Sequence, residues 1–154
     1  MTPEQQARTK TIAVLFAFAA LFMVRGGHAA THGGPACTIK GTAGADNLIG
    51  TPGRDVICGY GGNDVVDGNG GNDVIKGGPG ADILGGGNGN DVIYGGPGND
   101  RLQGDRGRDV VYGGAGSDKI FAWDGFADRI DGGPGVDRGW KDMLDHVVRV
   151  ERLS

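Results

Sequence analysis

The sequence contains few of the side chains that most catalytic sites require. It has two serines, two cysteines and three histidines among 154 residues, and neither the H-E-x-x-H nor the G-x-S-x-G motif occurs. Zinc proteases, serine hydrolases and cysteine proteases depend on such residues and motifs. We therefore expect the protein not to be an enzyme.

Basic residues, proline and glutamate are also in short supply. The net charge is -4, whereas nucleic-acid-binding proteins need a basic surface against the phosphates, so no nucleic-acid partner is expected. Proline accounts for 6 residues, and the 34 glycines do not recur at every third position, which excludes collagen. Of the 19 acidic residues, 17 are aspartate and two are glutamate. This composition favours a cationic partner.

The one long hydrophobic run lies near the N-terminus. Residues 12–24 are apolar throughout, two basic residues precede them, and small side chains surround Ala29. This pattern predicts a signal peptide at residues 1–29 and therefore a secreted, extracellular protein. A membrane anchor is the alternative, but the run is shorter than the roughly 20 residues that span a bilayer, so no stable membrane insertion is expected after cleavage. Cys37 and Cys58 can form a disulfide outside the cell, although the sequence does not decide whether they do.

A nine-residue repeat fills the middle of the chain, from residue 41 to residue 121. Positions one and four of the repeat are always glycine, and position eight is always Leu, Ile or Val. Position six is always aspartate, at Asp46, Asp55, Asp64, Asp73, Asp82, Asp91, Asp100, Asp109 and Asp118. Such strict internal periodicity is typical of a solenoid, in which each short repeat packs against its neighbours.

Each constrained position of the repeat has a physical reason. Glycine at positions one and four indicates turns whose backbone excludes a Cβ atom. The β-branched segment from position six to position nine predicts a three-residue strand, with position eight facing the core. An aspartate carboxylate lies close to the backbone and can reach an ion held by carbonyl oxygens of the turn. Oxygen ligands of this kind favour calcium, and the absence of repeated cysteine or histidine disfavours zinc and copper.

Full G-G-x-G-x-D motifs occur at residues 77–82, 86–91, 95–100, 113–118 and 132–137. On these motifs the chain resembles the haemolysin-type (RTX) calcium-binding repeat proteins. The resemblance implies an all-β parallel β-roll, a β-solenoid with two nonapeptides per coil, and Ca2+ between turns eighteen residues apart. It implies that the nine repeat aspartates alternate between two edges of the roll. Asp128 and Asp137, which follow in irregular repeats, are expected to be further calcium ligands.

The repeat departs from its consensus in several places. Position two is not glycine in five windows, at Thr42, Thr51, Tyr60, Asn69 and Asp105. We expect weaker calcium binding in those loops. One residue is inserted between Asp118 and Asp128, which predicts a slip of register there.

These features divide the chain into four segments. After the signal peptide, a leader or N-terminal cap without the aspartate covers residues 30–40, and the RTX repeats cover residues 41–121. The irregular last repeats and a C-terminal cap occupy residues 122–154, where Trp123, Phe126 and Trp140 are expected to form a capping core. The tail fits helical and strand periodicity equally, so its type stays open.

The pattern as a whole predicts a secreted calcium-binding protein that folds when several Ca2+ ions bind between its turns. A non-catalytic accessory or folding module for a secreted enzyme is the alternative. An ice-binding or surface-binding protein is less favoured, because the residues that precede the aspartates do not form an unbroken Thr/Asn ladder. Calcium ions are the one partner that the sequence identifies.

Overall fold

The computed structural model describes residues 35–153, which form fourteen β-strands and no helix. These residues accordingly offer no helix that could cross a membrane. The strands build an all-β parallel solenoid of about six turns, which confirms the predicted fold class. The expected signal peptide and the cleavage point near Ala29 lie outside the described residues.

Two parallel sheets of seven strands each form the walls of the solenoid. The first sheet contains β1 (Ile39–Lys40), β3 (Val56–Cys58), β5 (Val74–Lys76), β7 (Val92–Pro97), β9 (Val110–Ala115), β11 (Arg129–Asp131) and β13 (His146–Val148). The second contains β2 (Asn47–Ile49), β4 (Val65–Asp67), β6 (Ile83–Asn88), β8 (Arg101–Arg106), β10 (Lys119–Ala122), β12 (Arg138–Lys141) and β14 (Arg152–Leu153). Successive strands therefore alternate between the two walls.

The register of the strands follows the repeat. Val65 pairs with Ile83 and Ile83 pairs with Arg101, so equivalent residues eighteen apart lie side by side. After the inserted residue the spacing becomes nineteen, as in the pair Lys119 and Arg138, which is the predicted slip. Strands β6–β9 are six residues long rather than three. Their pairing continues through the glycine loops, where Gly96 pairs with Gly114, so the three-residue prediction is wrong for these turns.

The core is a column of aliphatic side chains between the two sheets. It consists of the position-eight residues Ile57, Val66, Ile75, Leu84, Ile93, Leu102, Val111 and Ile120, continued by Ile130. Each of these is at most 3% exposed. Ile39 and Leu48 pack against one end of the column, and Val147 and Val150 pack against the other. The repeat therefore buries one aliphatic side chain per nonapeptide, as the periodicity predicts.

A disulfide joins Cys37 to Cys58, with a Cα–Cα distance of 6.0 Å. Cys58 is the last residue of β3, and Cys37 lies just before β1 in the neighbouring turn. The bond, which the sequence left open, thus ties the start of the described chain to the first turns. A covalent link of this kind lowers the conformational entropy of the unfolded chain.

The C-terminal tail forms strands, and the predicted aromatic capping core is wrong. Trp123 is 80% exposed and Phe126 is also exposed, so neither seals the last turn. Trp140 stacks on Phe121 on an outer face of the second sheet, with ring centroids 4.6 Å apart. Aliphatic side chains of the tail pack against the end of the core instead, Val147 from β13 and Val150 from the segment that follows it.

Candidate metal sites

Hydrogen bonds from backbone to carboxylate join the repeat aspartates into two columns. In each column the N–H of one aspartate donates to Oδ1 of the aspartate one turn later, at N···O distances of 2.7–2.9 Å. One column contains Asp46, Asp64, Asp82, Asp100, Asp118 and Asp137. The other contains Asp55, Asp73, Asp91, Asp109 and Asp128. The structure therefore brings together along two edges all eleven aspartates singled out in the sequence.

Each column ends on an acidic residue that the sequence analysis missed. The N–H of Asp128 donates to Oδ1 of Asp145 at 3.0 Å, and the N–H of Asp137 donates to Oε2 of Glu151. These acids follow their partners by 17 and 14 residues, so a strict nine-residue count passes over them. The sequence nevertheless marks both acids, because an aliphatic residue lies two positions after each of them, as position eight follows position six in the repeat.

The second carboxylate oxygen has no hydrogen-bond donor in most of these aspartates. Among the described residues, Oδ2 is buried and without a partner in Asp64, Asp73, Asp82, Asp91, Asp100, Asp109, Asp118, Asp128 and Asp137. Each of these side chains is at most 2% exposed. Buried polar atoms in native proteins almost always have a hydrogen-bond partner. The same exception at nine equivalent positions indicates that these oxygens interact with something other than a hydrogen-bond donor. A bound cation would satisfy all nine.

The glycine at position one shows where the carboxylate points. A Cβ atom built on Gly86 would lie 2.5 Å from Oδ2 of Asp91 and 2.6 Å from the carbonyl oxygen of Gly104 in the next turn. Position one must therefore be glycine because two oxygen atoms from adjacent turns converge on the space beside it. A carboxylate and a backbone carbonyl together form a donor set for a hard cation.

The first two loops are built differently from the others. The backbone N–H and the hydroxyl of Thr42 both donate to Oδ2 of Asp46, at 2.6 and 2.9 Å. Thr51 makes the same two hydrogen bonds to Oδ2 of Asp55, at 2.6 and 2.8 Å. Threonine at position two thus occupies the oxygen that is unpartnered in later turns. Weaker calcium binding is expected here from the missing glycine, but the sequence does not reveal these hydrogen bonds as the reason for it.

The other departures at position two preserve the loop conformation. Tyr60, Asn69 and Asp105 have φ values of 76°, 71° and 64°, in the left-handed region that glycine occupies at this position in the consensus loops. Gly96, for example, has a φ of 119°. Weaker binding at these three loops stays a prediction, since their backbone does not differ in kind from that of the consensus turns.

The pKa values of the column aspartates also differ between the later turns and the first loops, which contain threonine. Burial raises the pKa of Asp91 to about 6, of Asp100 to about 7 and of Asp109 to about 8, with neighbouring carboxylates adding to the shift. In contrast, the hydrogen bond from the backbone of Thr51 lowers the pKa of Asp55. Without a cation, the inner carboxylates are therefore costly to ionise.

A family model for the RTX calcium-binding nonapeptide repeat matches the chain at residues 40–75, 59–93 and 94–126. Together these matches span more than half of the chain. The chain belongs to the RTX calcium-binding repeat family. No curated protein and no solved structure matches it significantly.

The donor set of this RTX roll fits calcium, the ion that these repeats bind. Calcium takes six to eight oxygen ligands and tolerates an irregular arrangement of them. The turns offer aspartate oxygens and backbone carbonyls as ligands. Both described cysteines form the disulfide and so do not offer a thiolate ligand. The nine buried Oδ2 atoms accept no hydrogen bond from the protein. A calcium ion bound beside them would supply the missing interaction.

The raised pKa values predict that the calcium-free roll is more stable in acid. The pKa of Asp100 and of Asp128 rises to about 7, above the ordinary value of 3.8, so the folded state binds more protons than the unfolded state. The contribution of these two carboxylates to the stability of the roll is therefore fully present below about pH 4 and is lost as the pH rises through about 7. We expect chelated protein to have more β-structure at pH 5 than at pH 8 by circular dichroism.

The calcium-loaded protein provides the control for this pH dependence. Protons compete with calcium for the same carboxylates of the folded roll, so acid should weaken the calcium affinity of the folded protein. An apo protein that gains β-structure as the pH rises from 5 to 8 would contradict the assignment of the buried carboxylates.

Proposed function

We propose that this protein is a secreted calcium-binding roll whose folding depends on several Ca2+ ions held between its stacked turns. The proposed ligands are the side chains of Asp46, Asp55, Asp64, Asp73, Asp82, Asp91, Asp100, Asp109, Asp118, Asp128 and Asp137, with backbone carbonyls of the glycine turns. The observation that carries the proposal is the set of nine buried Oδ2 atoms without a hydrogen-bond donor. The family supports a structural, calcium-binding role rather than catalysis.

The coupling of folding to calcium follows from the balance of forces in the roll. The core is one aliphatic column, which is little apolar burial for a chain of this length and glycine content. Along each edge, carboxylates repeat at the strand spacing of roughly 4.7–4.9 Å and repel one another when ionised. Calcium removes that repulsion and satisfies the buried oxygens, so its binding energy becomes folding energy.

Secretion and the division of the chain belong to the same proposal. We assign residues 1–29 to a signal peptide, residues 30–40 to a leader, residues 41–121 to the repeats and residues 122–154 to irregular repeats and a cap. The disulfide between Cys37 and Cys58 supports export, because such bonds persist mainly in oxidising compartments. RTX repeats also occur in secreted proteins.

Titration of chelated protein with calcium, followed by circular dichroism, tests the proposal. We expect a cooperative gain of β-structure with calcium and none with magnesium at equal concentration. Magnesium demands near-ideal octahedral geometry and dehydrates reluctantly, whereas these turns offer an irregular set of protein oxygens. Calcium that binds without a change in the spectrum would contradict coupled folding, and equal folding in magnesium would contradict the ligand assignment.

An accessory or folding module for a secreted enzyme is the second candidate function. One observation favours it, an open groove at the C-terminal end that is lined by exposed apolar side chains, among them Trp123, Met143 and Leu153. Exposed apolar surface of this kind often marks a protein-binding site. A partner enzyme whose refolding yield rises only with the calcium-loaded protein would support this candidate.

A further inference from the structure

Two inter-turn contacts near the C-terminal end of the roll use a side chain where the regular turns use the backbone. In the regular turns the N–H of the position-four glycine donates to the position-three carbonyl of the next turn. This bond joins Gly62 to Pro79, Gly71 to Asn88, Gly80 to Pro97, Gly89 to Arg106, Gly98 to Ala115 and Gly116 to Pro134. Gly107 donates instead to Oδ2 of Asp124 at 3.2 Å, and Gly125 donates to Oδ2 of Asp142 at 2.7 Å. In these two contacts a charged carboxylate lies where the regular turns present a neutral carbonyl.

Asp124 lies in the loop that contains the inserted residue. In repeat numbering it occupies position three, two places after Ala122 at position one, and the extra residue falls between it and Asp128. The N–H of Phe126 donates to Oδ1 of Asp124 at 2.9 Å and holds the side chain in place. The irregular loop therefore turns this side chain toward the preceding turn.

The carboxylate of Asp124 joins two aspartates of the column. One carboxylate oxygen from each of Asp109, Asp124 and Asp128 lies within 4.8 Å of the others. Independently of this clustering, Asp109 and Asp128 each have a buried Oδ2 without a hydrogen-bond donor, and both side chains are at most 2% exposed. Three carboxylates at such distances repel strongly unless a cation lies among them.

We propose that Asp124 makes the gap between the loops of Asp109 and Asp128 a three-carboxylate calcium site that binds more tightly than the regular gaps. The inference rests on the proposed function, since it concerns one member of the same set of sites. A regular gap is bounded by two aspartates, and a third negative ligand raises affinity for calcium because affinity follows ligand charge. This site therefore binds the first calcium ion during a titration and releases its ion last on chelation.

Terbium luminescence excited selectively through tryptophan distinguishes this site from those in the regular repeats. Tb3+ also prefers oxygen ligands, and it emits when a nearby tryptophan transfers energy to it. Trp123 directly precedes Asp124 in the chain, whereas the regular repeats contain no tryptophan. With Tb3+ titrated into the chelated full chain carrying Trp140→Phe, which leaves Trp123 as the one tryptophan, we expect the first equivalent to produce emission and the further change Trp123→Phe to lose it.

The variant Asp124→Asn tests the third carboxylate directly. We expect the concentration for half-maximal emission to rise at least about tenfold, because the ligand charge falls while the side-chain shape is kept. Asp67→Asn is the matched control. Asp67 accepts the same kind of hydrogen bond, from the N–H of Asn69 at 2.9 Å, but belongs to no carboxylate group among the described residues, so its loss should leave the emission unchanged.

The outcomes separate this inference from the proposed function. If calcium folds the parent protein but Asp124→Asn leaves the first emission step unchanged, the three-carboxylate site is wrong and the calcium roll stands. If calcium neither binds nor folds the parent, the proposed function itself fails. Should Asp124→Asn not fold in saturating calcium, emission that survives the further change Trp123→Phe, or that begins only after later equivalents, would overturn the inference without that variant.

Discussion

Removal of calcium is expected to abolish most of the β-structure of the purified protein and to expand it. The nine buried carboxylates whose Oδ2 lacks a hydrogen-bond donor would then be either ionised beside one another or protonated at a cost. One aliphatic column cannot offset that penalty together with the entropy of ordering a glycine-rich chain. We expect the radius of gyration to rise by at least roughly a factor of two on chelation, as for unfolding.

Circular dichroism and small-angle scattering with and without chelator measure this transition. Sodium chloride at matched ionic strength is the control, because it screens the carboxylates without coordinating them. Recovery of the fold in salt alone would show that screening is sufficient. A chelated protein that keeps its size and spectrum would contradict calcium-dependent folding altogether.

The variant Asp82→Asn is expected to weaken calcium-dependent folding far more than Asp46→Asn. Oδ1 of Asp82 accepts the N–H of Asp64 at 2.8 Å, and its own N–H donates to Asp100 at 2.9 Å, so it contacts turns on both sides. Its Oδ2 is buried without a donor. Asparagine keeps the shape and one oxygen but removes the charge, so two gaps lose a charged ligand.

Asp46 is a control from the same column at its first turn. Its Oδ2 already accepts two hydrogen bonds from Thr42, and it has a repeat partner on one side only, Asp64. We expect the calcium midpoint to rise about tenfold or more for Asp82→Asn, with a lower Hill slope, and to change little for Asp46→Asn. Circular dichroism during calcium titration measures both quantities.

Equal midpoint shifts for the two variants would contradict the division between threonine-bonded and unpartnered aspartates. In that case the first turns would contribute more to the nucleation of the roll than their hydrogen bonds suggest. A large shift for Asp46→Asn alone would place the cooperative unit at the N-terminal end, next to the disulfide between Cys37 and Cys58.

The regular part of the roll could be predicted from the sequence because its determinants are local and repeated. Aspartate, glycine and an aliphatic residue recur at fixed positions in every repeat, so the role of each position can be inferred from many copies. The two aspartate columns follow once strands eighteen residues apart pair, as Val65 and Ile83 do. Position-two residues were harder to judge. Asp105 adopts the left-handed conformation of a glycine, whereas Thr51 changes the hydrogen bonding of its loop.

The ends of the roll could not be predicted in the same way, because each contact there occurs once. Asp145 and Glu151 join the columns although their spacing breaks the repeat. Trp123 is bulky and apolar, which suggests a cap, but the direction of its loop exposes it to solvent. A side chain's direction in an irregular loop depends on the strands on either side, and no local pattern encodes it.

The sequence by itself determined the solenoid, the calcium chemistry and the identity of the repeated aspartates, since these rest on a pattern that recurs nine times, and the parallel arrangement followed from the resemblance to the RTX repeats. Only the tertiary structure decided that Cys37 and Cys58 are bonded, that the tail forms strands, and that Asp124 joins Asp109 and Asp128. These are contacts between residues far apart in the chain or out of phase with the repeat. Their distances depend on how the turns stack, and that is set by the whole fold rather than by any one segment.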